Sequence, residues 1–203
     1  MIIKNAKVFS ENGTFEEKNI MMDGEYFSDS TTDTKEFDAN GCYAIPGLVD
    51  IHFHGCVGHD FCNGTEEAIQ AIADYELSCG VTTIIPASMT LSEDTLTTVF
   101  KAAAQHQNEK GAELVGINME GPFVSSAKKG AQNGAFIHKP DAQMFHRLNE
   151  ASGHMIKHVA LAPEEPGAME FIEQVKQDTV ISIAHTTADY DTAKKAIDAG
   201  ARC

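Results

Sequence analysis

From Pro46-Gly47 onward the chain alternates short apolar runs with amphipathic segments, and the alternation repeats as far as Gly200. The runs Ala44–Ile51, Val81–Pro86, Leu114–Glu120, His158–Ala162 and Val180–His185 lack strict polar–apolar alternation, so they read as strands covered on both faces. Between them, Ile69, Ile72, Ala73 and Leu77 fall on one face of a helix over about Glu66–Cys79, with Thr65 as N-cap and Gly80 past its end. Ser92 caps a second helix whose face carries Leu96, Val99, Phe100 and Ala103. Further helices are expected over Asp141–Glu150 and Gly167–Gln177, and from Thr186 or Thr187 as N-cap through Ala193 and Ile197 to Gly200. Such βα units build either an open doubly wound sheet or a barrel. No Gly-x-Gly-x-x-Gly turn follows the first run, and the polar residues able to do chemistry stand at strand C-termini, where a barrel places its active site. The expected fold class is therefore α/β: residues 47–203 form a partial (β/α)8 TIM-type barrel of about five βα units. A full barrel takes about 250 residues, so the chain is expected to be the N-terminal portion of a longer protein.

Residues 1–46 read differently. The strand-like Ile2–Phe9 is followed by Asn12-Gly13, Asp23-Gly24 and Asn40-Gly41, each a hairpin signal, so this segment is expected to be the N-terminal part of a small β-sandwich domain.

Charge narrows the partners. Fifteen Lys and Arg against thirty Asp and Glu give a net charge of −15, which repels phosphate backbones and anionic lipid surfaces. Neither nucleic acid nor a membrane is an expected partner, while a few local cations still allow a small anionic substrate. No signal-peptide pattern follows Met1, and no apolar stretch approaches membrane-spanning length. The five cysteines are odd in number and contain no Cys-x-x-Cys pair, so free thiols in a reducing cytoplasm are expected, with Cys56 and Cys62 as buried filler.

The chemistry-bearing residues gather at strand ends. Side chains at i and i+2 of a strand share a face, so His52 and His54 offer two nitrogens to one ion. Glu120, followed by Gly121-Pro122, and His185 end two further strands and should point into the same bowl. Three imidazoles and a carboxylate make a transition-metal set, and the carboxylate can bridge two ions. On the loop after the third strand, Lys128-Lys129-Gly130 can approach a substrate, and Asn133 and His138 can reach the mouth of the site. His59-Asp60 can orient the first pair, whereas His106, His146, His154 and His158 read as structural and away from the site.

The segment Ala44–Gly55 is similar to the opening strand of the amidohydrolase superfamily. Gly58-His59-Asp60-Phe61, Met119-Glu120-Gly121-Pro122-Phe123, Lys128-Lys129-Gly130-Ala131, Leu161-Ala162-Pro163-Glu164 and Ala184-His185-Thr186-Thr187 resemble, within it, the N-acetylglucosamine-6-phosphate deacetylase family. The resemblance implies Glu120 and His185 as metal ligands, His52 and His54 as the pair that holds a second ion, and zinc or iron as the metal, in one or two ions. It implies Lys129, Gly130, Ala131 and Gln132 as substrate contacts, with Gln132 standing where many members carry His. The implied reaction is hydrolysis of the acetamide of an amino sugar phosphate, releasing acetate, in a cytoplasmic homodimer. The general acid and base, an Asp, is expected beyond Cys203, so no catalytic residue is assigned within the chain, which alone is expected to bind metal weakly without turnover. Two alternatives stand beside this reading: another amide hydrolase of the superfamily, and a non-catalytic metal-binding module. Cyclic-amide hydrolases resemble one another in a carboxylated Lys from the fourth strand, but Lys157 lies at that strand's start.

Overall fold

The computed structural model describes residues 1–203 and falls into two units, Met1–Gly47 and Leu48–Cys203. In the first, β1 (Ile2–Phe9) and β2 (Phe15–Asp23) pair antiparallel. Asn12 closes their turn by accepting the Thr14 N–H at 3.0 Å. A second tight turn at Gly24 returns the chain to β3 (Tyr26–Phe27). Asn40-Gly41 departs from expectation. It does not reverse the chain, because β4 (Glu36–Asp38) and β5 (Tyr43–Ala44) both run parallel to β1. The dipeptide instead forms a bulge held against β1, with Ala39 N–H donating to Lys4 O and Gly41 N–H to Asn5 O, each at 2.8 Å.

The second unit is built on two three-stranded parallel sheets. One has the order β10 (Glu113–Leu114), β9 (Val81–Ile84), β6 (Leu48–Asp50). The other has the order β11 (Ile117–Met119), β12 (Ile156–Leu161), β13 (Val180–Ile183). The expected Leu114–Glu120 strand is divided at Val115-Gly116, where the chain changes partner. A Cβ on Gly116 would stand 2.3 Å from Lys157 Cγ, so this close approach requires glycine. An isolated bridge between Ala87 and Asn118 links the two sheets. Successive strands are thus neighbours in space, and the sheets do not close into a barrel. β6 is less buried than its apolar sequence predicts: as the edge of its sheet, with β9 its only neighbour there, it leaves Leu48 and Val49 exposed. A short hairpin that the sequence does not announce, β7 (Gly55–Cys56) with β8 (His59–Asp60), follows β6.

Five helices alternate with the strands: α1 (Glu66–Ser78), α2 (Glu93–Gln105), α3 (Ala142–Ala151), α4 (Ala168–Val175) and α5 (Tyr190–Ala199). Thr65 and Ser92 cap the first two as expected, and Asp141 caps α3 through the N–H groups of Gln143 and Met144. The N-cap of α5 is Asp189 rather than Thr186 or Thr187, because both threonine hydroxyls are committed to Glu164. Helix stripes bury Ile69, Ile72, Leu96, Phe100, Phe145, Leu148, Phe171 and Ile172 in one core against the sheets. Phe171 lies between Phe123 and Phe145, with ring centroids 4.9 and 6.0 Å away. Leu77, expected on the apolar face of its helix, lies in the last turn and is exposed. His106 fills the structural role expected of it, its Nδ1 lying 2.9 Å from Glu66 Oε1. All five thiols are free. Cys56 and Cys62, expected as buried filler, both pack against the core but are only half-buried; burial raises both thiols, Cys62 up to about 11.

Phe145 is fully buried and Tyr190 is exposed. Phe145→Ala is expected to cost about 3–5 kcal/mol in chemical denaturation, and Tyr190→Ala no more than about 0.5 kcal/mol. Equal losses at the two positions would contradict this placement of the core.

Candidate metal centre

His52 and His54 lie just past β6, on chain that remains extended and tethered to the continuation of β9. Ile85 N–H donates to Asp50 O at 2.8 Å, and Ala87 N–H donates to Phe53 O at 2.7 Å. The two-residue spacing therefore still places both imidazoles on one side, their centroids 5.7 Å apart and their planes at 89°. Glu120 follows β11 and is 5% exposed. Gly121 takes φ 79° immediately after it, and a Cβ there would stand 2.0 Å from Thr90 Oγ1, so glycine alone allows this turn under the carboxylate.

The two oxygens of Glu120 face different partners. Oε2 lies 2.6 Å from His52 Nε2 and 3.4 Å from His54 Nε2. Oε1 lies 2.7 Å from His185 Nε2 and accepts from Gln132 Nε2 at 2.7 Å. All four residues read from the sequence as a metal set are thus brought together around one buried carboxylate. The ligand atoms of His52, His54 and Glu120 all lie within 4.8 Å of one another.

The donor chemistry fits a divalent ion. His54 Nδ1 stands 3.1 Å from Ala87 O, and His185 Nδ1 stands 3.0 Å from Lys128 O. A carbonyl only accepts, so in both rings Nδ1 is the donor to the backbone and Nε2 is the nitrogen turned toward Glu120. Glu120 Oε2 is buried and has no aligned hydrogen-bond donor, despite the nearby His52 ring. Burial is the largest influence on the Glu120 carboxyl and raises it. The His185 hydrogen bond, the nearby His54 and His52 rings and the Gln132 amide outweigh that and hold it below its ordinary value. An ionised carboxylate with an unsatisfied oxygen among imidazole nitrogens matches the nitrogen and oxygen preference of zinc.

The loop expected to meet substrate lies against this centre. A Cβ on Gly130 would stand 3.8 Å from His185 Cε1, and Lys129 Nζ donates to Gln132 O at 3.2 Å. Gly130 and Ala131 are exposed and Lys129 is half-buried. Gln132 is 2% exposed, with its Oε1 accepting the Thr90 N–H at 2.6 Å and its Nε2 bound to Glu120. Asn133 is spent on the Ala135 N–H, capping a short turn of helix, and Asp60 caps another over Phe61–Asn63. Lys157 is exposed at the start of β12, its Nζ donating to His154 O at 3.3 Å rather than to the cluster. His158 lies nearer the site than expected. It sits within β12 next to Asn118 of β11, and burial, then His52, hold it below the ordinary imidazole range. Sequence reasoning missed Glu164, which receives both hydroxyls of Thr186 and Thr187 and the Thr187 N–H. Nothing in linear spacing pairs a loop after one strand with the turn after the next.

The amidohydrolase family profile matches residues 43–203. The chain belongs to the amidohydrolase family. Among curated relatives, the N-acetylglucosamine-6-phosphate deacetylase of Bacillus subtilis is 30% identical over 214 residues, covering 99% of this chain and 54% of that protein. The crystal structure of N-acetyl-D-glucosamine-6-phosphate deacetylase from Mycobacterium smegmatis superposes with TM-score 0.86 at 25% identity, over 99% of this chain and 54% of the other. A mutant of the Mycobacterium smegmatis enzyme, in complex with N-acetyl-D-glucosamine-6-phosphate, matches with TM-score 0.82 at 27% identity, again over 99% and 54%. This amidohydrolase chain therefore spans about half the length of the relatives it matches.

Gln132→Leu removes both amide hydrogen bonds and leaves the buried Thr90 N–H without its partner. It is expected to destabilise the chain by about 1–3 kcal/mol in chemical denaturation. A change under about 0.5 kcal/mol would show that the amide is not engaged as described.

Proposed function

We propose that the protein to which these residues belong is a metal-dependent deacetylase that hydrolyses the acetamide of N-acetylglucosamine 6-phosphate to glucosamine 6-phosphate and acetate. The observation that carries this reading is the convergence of His52, His54 and His185 on the two oxygens of Glu120. The relatives' names supply the substrate class. The strands β6, β9, β10 with β11, β12 and β13 are read as consecutive staves of a (β/α)8 barrel, with the centre at their C-terminal ends.

His52, His54, Glu120 and His185 would hold zinc or iron. The separate partners of Oε1 and Oε2 allow Glu120 to serve one ion or to bridge two. A bound ion supplies Lewis acidity toward the acetamide carbonyl and acidifies water. The chain's own residues do the rest. Ala87 and Lys128 carbonyls fix the rings of His54 and His185 so that Nε2 of each faces Glu120, the nitrogen each would offer to an ion. Gln132 restrains Glu120 on the side away from His52. Lys129, Gly130 and Ala131 form the rim beside His185, where backbone groups and one cation can meet an anionic sugar phosphate, while Gln132 acts there through the carboxylate it holds. A cyclic-amide hydrolase with a bridging lysine is disfavoured by the position of Lys157.

Acetate release from N-acetylglucosamine 6-phosphate by the complete gene product is expected to disappear on metal depletion and to return with zinc or iron. Glu120→Ala or His185→Ala is expected to lower it by about 100-fold or more. Undiminished release from the metal-depleted protein, or from Glu120→Ala, would sink the proposal. No release at all from a protein holding stoichiometric metal would transfer the weight to another amide or to a non-catalytic role.

A further inference from the structure

We infer that Glu164 is a positioning residue for His185, its carboxylate clamping the turn that presents this imidazole to Glu120. The inference rests on the metal-centre reading above. Glu164 lies in the loop between β12 and α4, whereas His185, Thr186 and Thr187 follow β13. Its Oε1 accepts the Thr187 N–H at 2.6 Å and the Thr187 hydroxyl at 2.9 Å. Its Oε2 accepts the Thr186 hydroxyl, and that hydroxyl oxygen in turn accepts the Ala188 N–H at 2.8 Å. One carboxylate thus gathers three donors from the two residues directly after the histidine.

Two further contacts hold His185 itself. Ser125 N–H donates to its carbonyl at 2.9 Å, and Lys128 O accepts from its Nδ1 at 3.0 Å. His185 adopts φ 48°, in the left-handed region that a residue with a Cβ occupies only when its surroundings enforce it. The Ser125 and Lys128 contacts secure the backbone and ring from the loop after β11. Glu164 secures the outgoing chain from the loop after β12. Without the clamp, the turn after His185 is free to relax toward ordinary backbone angles. The ring then leaves the line joining Lys128 O to Glu120 Oε1.

A mere loop staple and a positioning residue differ in how their loss depends on His185. Zinc affinity, read by competition with a chromogenic chelator, is measured for the complete gene product and its Glu164→Ala, His185→Ala and double variants. Glu164→Ala is expected to weaken zinc about 10- to 100-fold. In the His185→Ala background, the same change should cost less than about 3-fold, since the ring it positions is gone. Glu164→Gln keeps an acceptor for Thr187 and should lose less than Glu164→Ala. Thr186→Val, which deletes only the contact to Oε2, provides the same comparison in a variant whose folding is less at risk. Equal losses with and without His185, or unchanged affinity in Glu164→Ala and Thr186→Val, would overturn the assignment while leaving the metal centre standing. Failure of the complete gene product itself to bind zinc would instead remove the metal reading, and the positioning role with it.

Discussion

The structure turns on the burial of one carboxylate. Glu120 is almost wholly removed from water, and an ionised group there needs compensating partners: Oε1 receives His185 and Gln132, while Oε2, beside His52 and His54, has no aligned donor. The partners come from three other stretches of chain: His52 and His54 after β6, Gln132 in the loop after β11, and His185 after β13. Each must arrive at the end of its element for the charge to be accommodated. The parallel order of the strands meets that requirement, because it directs every C-terminal end the same way.

Around the carboxylate, the backbone does as much as the side chains. Carbonyls of Ala87 and Lys128 fix two imidazole rings, the Thr90 N–H anchors the Gln132 amide, and Gly121 permits the turn beneath Glu120. These are short-range constraints on rigid strand ends, so the ligand atoms converge without any long flexible side chain among them. Both His54 and His185 are thereby held with the same ring nitrogen facing inward. Partners that orient a metal-binding imidazole through its other nitrogen raise its basicity as well as its precision.

Much of this was legible in the sequence, and the illegible part has physical reasons. The two-residue spacing of His52 and His54, and Glu120 standing before Gly121-Pro122, are local signals that periodicity and strand geometry can read. So are the caps at Thr65 and Ser92 and the apolar stripes of α1 and α2. The division of Leu114–Glu120 into β10 and β11 was hidden, because it follows from a change of partner, β9 for one half and β12 for the other, that exists only in the folded chain. Asn40-Gly41 carried a sound turn signal, yet β1 was already holding the chain on both sides and converted a reversal into a bulge. Thr186 and Thr187 read as helix caps because capping is local, whereas Glu164 lies 22 and 23 positions away. Gln132 read as a substrate contact, since its bonds to Thr90 and Glu120 exist only in the folded chain.

The central claim, that these four residues form a metal centre, is tested most directly by X-ray absorption at the zinc edge of the zinc-loaded chain. The geometry predicts a first shell of nitrogen and oxygen at about 2.0–2.2 Å, with the multiple-scattering signature of more than one imidazole and no sulfur. A sulfur neighbour at about 2.3 Å would place the ion instead on a thiol such as half-buried Cys56. That result would contradict a centre built on Glu120 and its three histidines.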